Sequence, residues 1–162
     1  MRYDFNADDV FEMAEQLERN GAKFYQEAAG RVEGEKHKAF LAGLSKMELE
    51  HEKTFASMRE ELKGKEKAPT VFDPEGESEQ YLRALADTRV FFEKQIDIST
   101  MEGILLAAIQ AEKDSIVFYL GMKDLVPGDL GASRLDKIIR EEMAHVKTLS
   151  SELIRLKGLG GC

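Results

Sequence analysis

The sequence predicts an all-α protein: a four-helix bundle made of two duplicated helical hairpins, joined by a long crossover that contains a short extra helix. Apolar residues recur at helical spacing in four long stretches, separated by two short breaks and one long one. The chain also repeats itself. At an offset of 94 residues, 16 of the 51 positions from 14 to 64 match their counterparts, where about 3 identities are expected by chance. One hairpin used twice accounts for both patterns.

The apolar spacing predicts the bounds of the elements within a single domain, residues 1–162. The helices are expected at about 7–30, 35–63, 100–123 and 130–157, and the crossover at 64–99. Short breaks at 32–34 and 126–128 force the two helices of each hairpin to lie antiparallel. Four caps are predicted: Asn6, Gly64, Ser78 in the crossover, and Ser99 with Glu102 as a Ser-x-x-Glu capping box.

The composition narrows the class of protein. Apolar residues make up 43% and charged residues 33% of 162 residues, with no Trp, which is typical of a soluble helical protein. The net charge of −8 disfavours nucleic acid and anionic membranes as partners. No apolar run suits a secretory signal or a membrane span. Because the single cysteine, Cys162, allows no disulfide within the chain, we expect a cytoplasmic protein.

The duplicated ionisable residues are the candidates for chemistry. Glu48-x-x-His51 recurs as Glu142-x-x-His145, and in each pair the two side chains lie one turn apart on one helix face. His51 also lies on an apolar stripe, so this face is expected to point inward. The repeated set near the helix centres is Glu18, Glu48, His51, Glu112, Glu142 and His145.

If these residues are buried, cations are needed to offset their negative charge. A lone His on an apolar face is more often a satisfied core residue than a ligand. Four ionised carboxylates inside a bundle are a different case, because each costs several kcal/mol unless a positive charge offsets it. Two divalent cations would neutralise them, and oxygen with imidazole nitrogen suits Fe, Mn or Zn. We therefore predict two metal ions, with iron as the first choice.

The spacing matches the known ligand pattern of di-iron and di-manganese bundles, which is one Glu from each of two helices and Glu-x-x-His from each of the other two. On this pattern, Glu48 and Glu142 are expected to bridge both metals. Each remaining pair would bind one metal: Glu18 with His51, and Glu112 with His145.

The remaining notable residues are two repeated tyrosines, four carboxylates without a counterpart in the repeat, and His37. Tyr25 and Tyr119 stand seven residues after Glu18 and Glu112. Each is either a core aromatic residue or a donor that holds a metal-ligating carboxylate, with a possible part in catalysis. The carboxylates that lack a counterpart in the repeat are interpreted as solvated: Glu15, Glu50, Glu52 and Glu141. His37 is expected at the surface.

Taken together, the motifs resemble the rubrerythrin branch of the ferritin-like superfamily. The resemblance rests on Glu18-x-x-Gly21-x-x-Phe24-Tyr25, Glu112-x-x-Ser115-x-x-Phe118-Tyr119 and the two Glu-x-x-His pairs, and spans about residues 8–157. It implies a non-haem di-iron centre that reduces peroxide or dioxygen, often in a homodimer. Rubrerythrins proper also carry a rubredoxin domain, which this sequence lacks, so the expected electron donor is a separate protein. They carry a second Glu where this chain has Ser115.

Two functions remain open at this point. One is an oxidoreductase that reduces H₂O₂ or O₂. The other is a non-enzymic metal-binding or iron-handling module that holds Fe, Mn or Zn without redox turnover, which the absence of a Glu at Ser115 favours. A third interpretation, in which the Glu and His residues are only surface charge, is weak. Surface charge has no reason to keep identity and register across two hairpins.

Overall fold

The computed structural model describes residues 7–62, 77, 80–82, 84, 98–123, 126 and 128–158. In these residues the chain forms four long helices and no strand: α1 (Ala7–Arg31), α2 (Glu35–Glu60), α3 (Met101–Met122) and α4 (Gly128–Leu156). The predicted all-α class is confirmed. Helix α2 ends three residues before its expected end, and α4 begins two residues before its expected start. The predictions for Asn6, Gly64, Ser78 and Cys162 lie outside the described residues.

The helices pair as the repeat predicts. Within the hairpins, α1 packs against α2 and α3 against α4; between the hairpins, α1 lies beside α3 and α2 beside α4. The first pair is antiparallel, since Ser45 of α2 donates to the Ala22 carbonyl of α1 at 2.8 Å, while Arg59 near the end of α2 contacts Asp8 near the start of α1.

The turn between α1 and α2 depends on a glycine. Gly34 has a φ of +88°, in the left-handed region that side chains with a Cβ rarely adopt. Its carbonyl accepts the amide of Lys38 at 3.1 Å and so begins α2. Helix α3 begins differently from the prediction. Its N-cap is Thr100, whose hydroxyl accepts the Gly103 amide at 3.0 Å, and not Ser99. The cap position is set by which residue is extended, and that residue is Thr100.

Two apolar cores fill the two ends of the bundle. The first holds the start of α1, the end of α2, the end of α3 and the start of α4, with Phe11, Phe55, Phe118 and Leu135 among its fully buried side chains. The second holds the opposite ends, with Leu41, Ile104, Leu105 and Leu149 among its fully buried side chains. The middle of every helix belongs to neither core, and this is where the chain carries its repeated Glu and His residues.

The crossover contributes to both cores. Residues 80–82 are helical, Leu82 is fully buried in the first core, and Ile98 is buried in the second. Gly121 of α3 leaves room for this segment, because a Cβ there would lie 3.1 Å from the Tyr81 ring and 3.2 Å from Leu82. Among the described residues, none of the helices combines the length and the apolar character that a membrane span requires.

Candidate metal centre

The structure brings all six repeated Glu and His residues together at the centre of the bundle. Helices α1 and α3 each supply one Glu, and α2 and α4 each supply a Glu and a His one turn apart. All six are at most 4% exposed. The ligand atoms form two groups, within each of which all lie within 4.8 Å of one another: Glu18, Glu48, His51 and Glu142; and Glu48, Glu112, Glu142 and His145. The two carboxylates common to both groups are the pair that the sequence predicts as bridging.

The two imidazoles point the same atom into the cluster. His51 Nδ1 lies 2.9 Å from Glu142 Oε1 and 3.5 Å from Glu18 Oε2. His145 Nδ1 lies 2.9 Å from the other oxygen of Glu142 and 3.5 Å from Glu112 Oε1. The rings stack with their centroids 5.7 Å apart. Each His therefore faces its own terminal Glu and shares Glu142 with the other, as a pseudo-twofold arrangement requires.

Most of the inward-facing polar atoms are unsatisfied. Nitrogen–oxygen distances near 3 Å suggest hydrogen bonds, but the angles do not satisfy hydrogen-bond geometry. Among the described residues, eight buried side-chain atoms have no hydrogen-bond partner: Glu18 Oε2, Glu48 Oε1, Glu112 Oε2, both carboxylate oxygens of Glu142, His51 Nδ1 and both ring nitrogens of His145. Buried polar atoms are rarely left in this state. Carboxylate oxygens and imidazole nitrogens converging without protein partners are a donor set that fits metal ions.

The acidity of the buried carboxylates follows from burial and mutual repulsion. Burial, with the charges of Glu112 and Glu142, holds the pKa of Glu48 well above its usual value. Burial, with the charges of Glu112 and Glu18, raises the pKa of Glu142 to about 8. Burial opposes ionisation of Glu112 as well, but contact with the His145 imidazole outweighs it and lowers the pKa of Glu112.

The imidazoles are held in their protonated form by the same carboxylates. Burial alone would lower the pKa of His51, but contacts with Glu142 and Glu18 outweigh it and raise the pKa to about 11. Burial is likewise outweighed at His145, where Glu112 and Glu142 raise the pKa to about 10. Without metal ions, protons are thus the cations that the cluster binds.

Each tyrosine hydroxyl crosses from one hairpin to the other. Tyr25 Oη on α1 donates to Glu112 Oε1 on α3 at 2.5 Å, and Tyr119 Oη on α3 donates to Glu18 Oε1 on α1. Both side chains are fully buried. The sequence left two interpretations open, a core aromatic residue or a hydrogen-bond donor to a repeated carboxylate, and the structure agrees with the second. The partner, however, is the Glu of the opposite hairpin, which spacing along one helix could not reveal.

Sequence reasoning missed Glu141. Its Oε2 lies 2.9 Å from His51 Nε2, on the ring edge opposite the cluster. Its side chain is 36% exposed, so it is partly solvated as predicted, but its contact with His51 was not predicted. Met47, its counterpart in the repeat, gave no signal of such a role. The other unrepeated carboxylates form ion pairs: Glu50 with Lys53 and Glu52 with Arg19 nearer the surface, and Glu15, only 13% exposed, with Arg59. His37 lies 3.6 Å from Glu152 at the bundle edge.

A cleft between α2 and α4 extends from the surface to the outer edge of the His51 ring. It has a volume of about 440 Å³ and is lined by His51 and Glu141 together with Lys46 and Lys137. His51 Nε2 faces the cleft and His51 Nδ1 faces the cluster, so the imidazole ring separates the cleft from the cluster.

Comparison with known proteins finds a structural relative but no matching sequence family. No protein-family model matches the chain, and no curated protein matches it either. A crystal structure at 2.30 Å of a Thermotoga maritima protein, described as a ferritin-like diiron-carboxylate protein, is similar, with a TM-score of 0.68 and 25% sequence identity. The match covers 92% of this chain and 95% of that one. The predicted ferritin-like fold is confirmed. The match does not distinguish the rubrerythrin branch from others, so that resemblance stays a prediction.

Proposed function

We propose that this chain is a di-metal carboxylate protein, with iron as its metal, and that it is an oxidoreductase that reduces H₂O₂ or O₂. The observation that carries the proposal is the centre of the bundle, where four Glu and two His converge with eight buried atoms that lack protein partners. The Thermotoga maritima protein of similar fold, described as a diiron-carboxylate protein, supports it. The rubrerythrin-like resemblance suggests the oxidant.

Charge supports two ions. Four carboxylates within one buried cluster repel one another, and each carries a desolvation cost of several kcal/mol. The protons that the metal-free cluster takes up offset part of this, as the raised pKa values of Glu142 and His51 show. Two divalent ions would offset the charge fully while using the unpaired oxygens and nitrogens.

The chain would hold the two ions in equivalent ways. One ion would take Glu18 and His51 and the other Glu112 and His145, while Glu48 and Glu142 serve both. Bound iron would supply the electrons and the Lewis acid for reduction of the oxidant. The remaining steps belong to the protein. Tyrosine hydroxyls fix the two terminal carboxylates, the apolar cores keep bulk water from both ends, and the cleft would let a small solute approach the cluster as far as the His51 ring.

The non-enzymic alternative has one specific observation in its favour. Ser115, one turn after Glu112, is buried at the position where rubrerythrins carry an additional Glu. A chain without that carboxylate has fewer ways to rearrange around a changing metal charge. Storage or handling of Fe, Mn or Zn without turnover would suit such a site.

Two measurements test the proposal. Anaerobic protein loaded with Fe(II) and then exposed to H₂O₂ or O₂ should develop oxidant-dependent ferric oxo absorption. If metal binds and this absorption does not appear, the non-enzymic alternative stands. The predicted cytoplasmic location, homodimer and separate electron donor belong to the proposal, and the donor would be sought as a protein that restores the ferrous state.

The double variant Glu48→Ala with Glu142→Ala should lose both ions, because it removes the two carboxylates common to both groups. A control with the same loss of charge is Glu50→Ala with Glu60→Ala, two exposed acids of α2. Metal analysis should find two ions in the control. Two ions in the buried double variant would contradict the proposed centre.

A further inference from the structure

We propose that Glu141 makes the two metal positions unequal, so that the position formed by Glu18 and His51 binds its ion more tightly than the position formed by Glu112 and His145. In this role Glu141 is a positioning residue that acts through His51. The inference rests on the proposed function, and it concerns a difference between the halves that the duplicated sequence does not suggest.

The asymmetry is visible in the outer edges of the two imidazoles. His51 Nε2 lies 2.9 Å from Glu141 Oε2. Its counterpart His145 has a buried Nε2 that, among the residues the structure describes, has no hydrogen-bond partner. The repeat explains the difference. Position 141 corresponds to Met47, whose thioether is at best a weak acceptor.

A carboxylate on the outer nitrogen affects the inner one. An acceptor at Nε2 fixes the proton there, which leaves the Nδ1 lone pair of His51 aimed at the cluster, 2.9 Å from Glu142. It also holds the ring orientation and raises the basicity of the metal-facing nitrogen, effects that typically change metal affinity by 10- to 100-fold. His145 has no such partner, so its ring must be oriented by the metal itself.

The position of Glu141 makes it open to experiment. The side chain is 36% exposed, lines the cleft, and lies 3.8 Å from Lys137 one turn earlier on α4. Replacing it therefore leaves the two apolar cores untouched, and a variant should fold as the parent does.

The test is calorimetric titration of the metal-stripped full-length protein with Zn(II), a redox-silent probe. The parent should bind two ions in steps that differ by roughly 10- to 100-fold in affinity. Glu141→Met, which copies Met47, should weaken the tighter step until the two steps become alike. Met47→Glu should also reduce the difference between the two affinities, in this case by strengthening the weaker step.

Two further variants separate positioning from general effects. Glu141→Gln keeps an oxygen acceptor for Nε2 and should retain most of the difference. Glu50→Gln removes a charge from the same cleft and should change neither step.

The possible failures are distinct. A parent that binds no Zn(II) overturns the proposed function together with this inference. A parent that binds two ions, with Glu141→Met leaving the ratio of the two affinities unchanged, overturns this inference alone. An equal loss at both steps in Glu141→Met also overturns it, since that result would show only a general structural effect.

Discussion

The two hairpins carry the same buried polar residues, but their surfaces are tied together by different contacts. In the first hairpin, Arg59 of α2 pairs with three carboxylates of α1, the nearest being Asp8 at 2.9 Å. Its counterpart in the second hairpin is Leu153, which cannot form an ion pair. There Lys157, just past α4, contacts Glu102 at 2.7 Å, and Glu102 is the counterpart of Asp8.

This contrast shows where the duplication is constrained. Many arrangements of surface charge satisfy the same hairpin, because exposed ion pairs contribute little and are exchangeable. The interior allows far fewer, since the buried Glu and His residues of all four helices meet in one cluster. All six buried Glu and His residues keep their identity at an offset of 94 residues, while the Arg59 ion pairs have no counterpart in the second hairpin.

The largest expected effect is that of metal on the shared interior. Zn(II) at a hundredfold excess over its dissociation constant should stabilise the stripped protein by about 2.7 kcal/mol per ion, a rise in Tm of roughly 10 °C or more for two ions. Calorimetry with and without chelator measures it. A melting temperature that does not change with metal would mean that the repeated buried Glu and His residues do not bind metal ions.

The pH dependence should have opposite signs with and without metal. The pKa of Glu142 in the folded, metal-free protein is about 8 against an ordinary 4.5, so the folded state holds a proton that the unfolded chain has released. Stability of the stripped protein should therefore fall as pH rises from about 5 to about 8. His51 and His145, with pKa values of about 11 and about 10, extend the fall above pH 6.5.

The metal-loaded protein should behave in the opposite way over the same range, because protons compete with metal for the same atoms. Melting temperatures measured across that range in both states give two curves of opposite slope. Parallel curves would contradict the assignment of these residues as the metal's ligands.

Features that occur in both copies of the repeat could be predicted from the sequence, and features that occur in only one copy could not. The helices, their antiparallel pairing and the convergence of the six Glu and His residues follow from apolar spacing and register. Glu141 could not be found in this way, because its contact with His51 joins α4 to α2 and has no copy at Met47. Thr100 was missed for a local reason: two adjacent cap-forming residues, Ser99 and Thr100, compete, and backbone conformation decides between them.

A smaller effect is expected from the crossed tyrosines, and it distinguishes the halves. Tyr25→Phe leaves Glu112 without its donor, and Tyr119→Phe does the same to Glu18. Each should cost about 1.5–3 kcal/mol, because a hydrogen bond to a charged group is lost in a buried place. Chemical denaturation measures the loss.

Metal titration of the same variants sharpens the result. Each variant should weaken the metal position of the hairpin opposite to the substituted tyrosine, so Tyr25→Phe should affect the ion at His145 and Tyr119→Phe the ion at His51. Tyr81→Phe, at an exposed tyrosine of the crossover, is the control and should change neither stability nor binding. Equal weakening of both ions in both variants would contradict the crossed arrangement.

The smallest effect is expected at the surface, where the hairpins differ. Arg59→Leu gives the first hairpin the residue that stands at the corresponding position of the second, and removes a two-pronged contact with Asp8 (3.0 and 2.9 Å). Because Arg59 pairs with three carboxylates and is only partly exposed, the loss should be about 1 kcal/mol, at the upper end for surface pairs.

Lys157→Met breaks the single pair with Glu102 and should cost less than about 0.5 kcal/mol. Both losses should shrink in high salt, since screening weakens exposed pairs. A large, salt-independent loss in either variant would mean that the surfaces, and not only the interior, restrict how the two hairpins can differ.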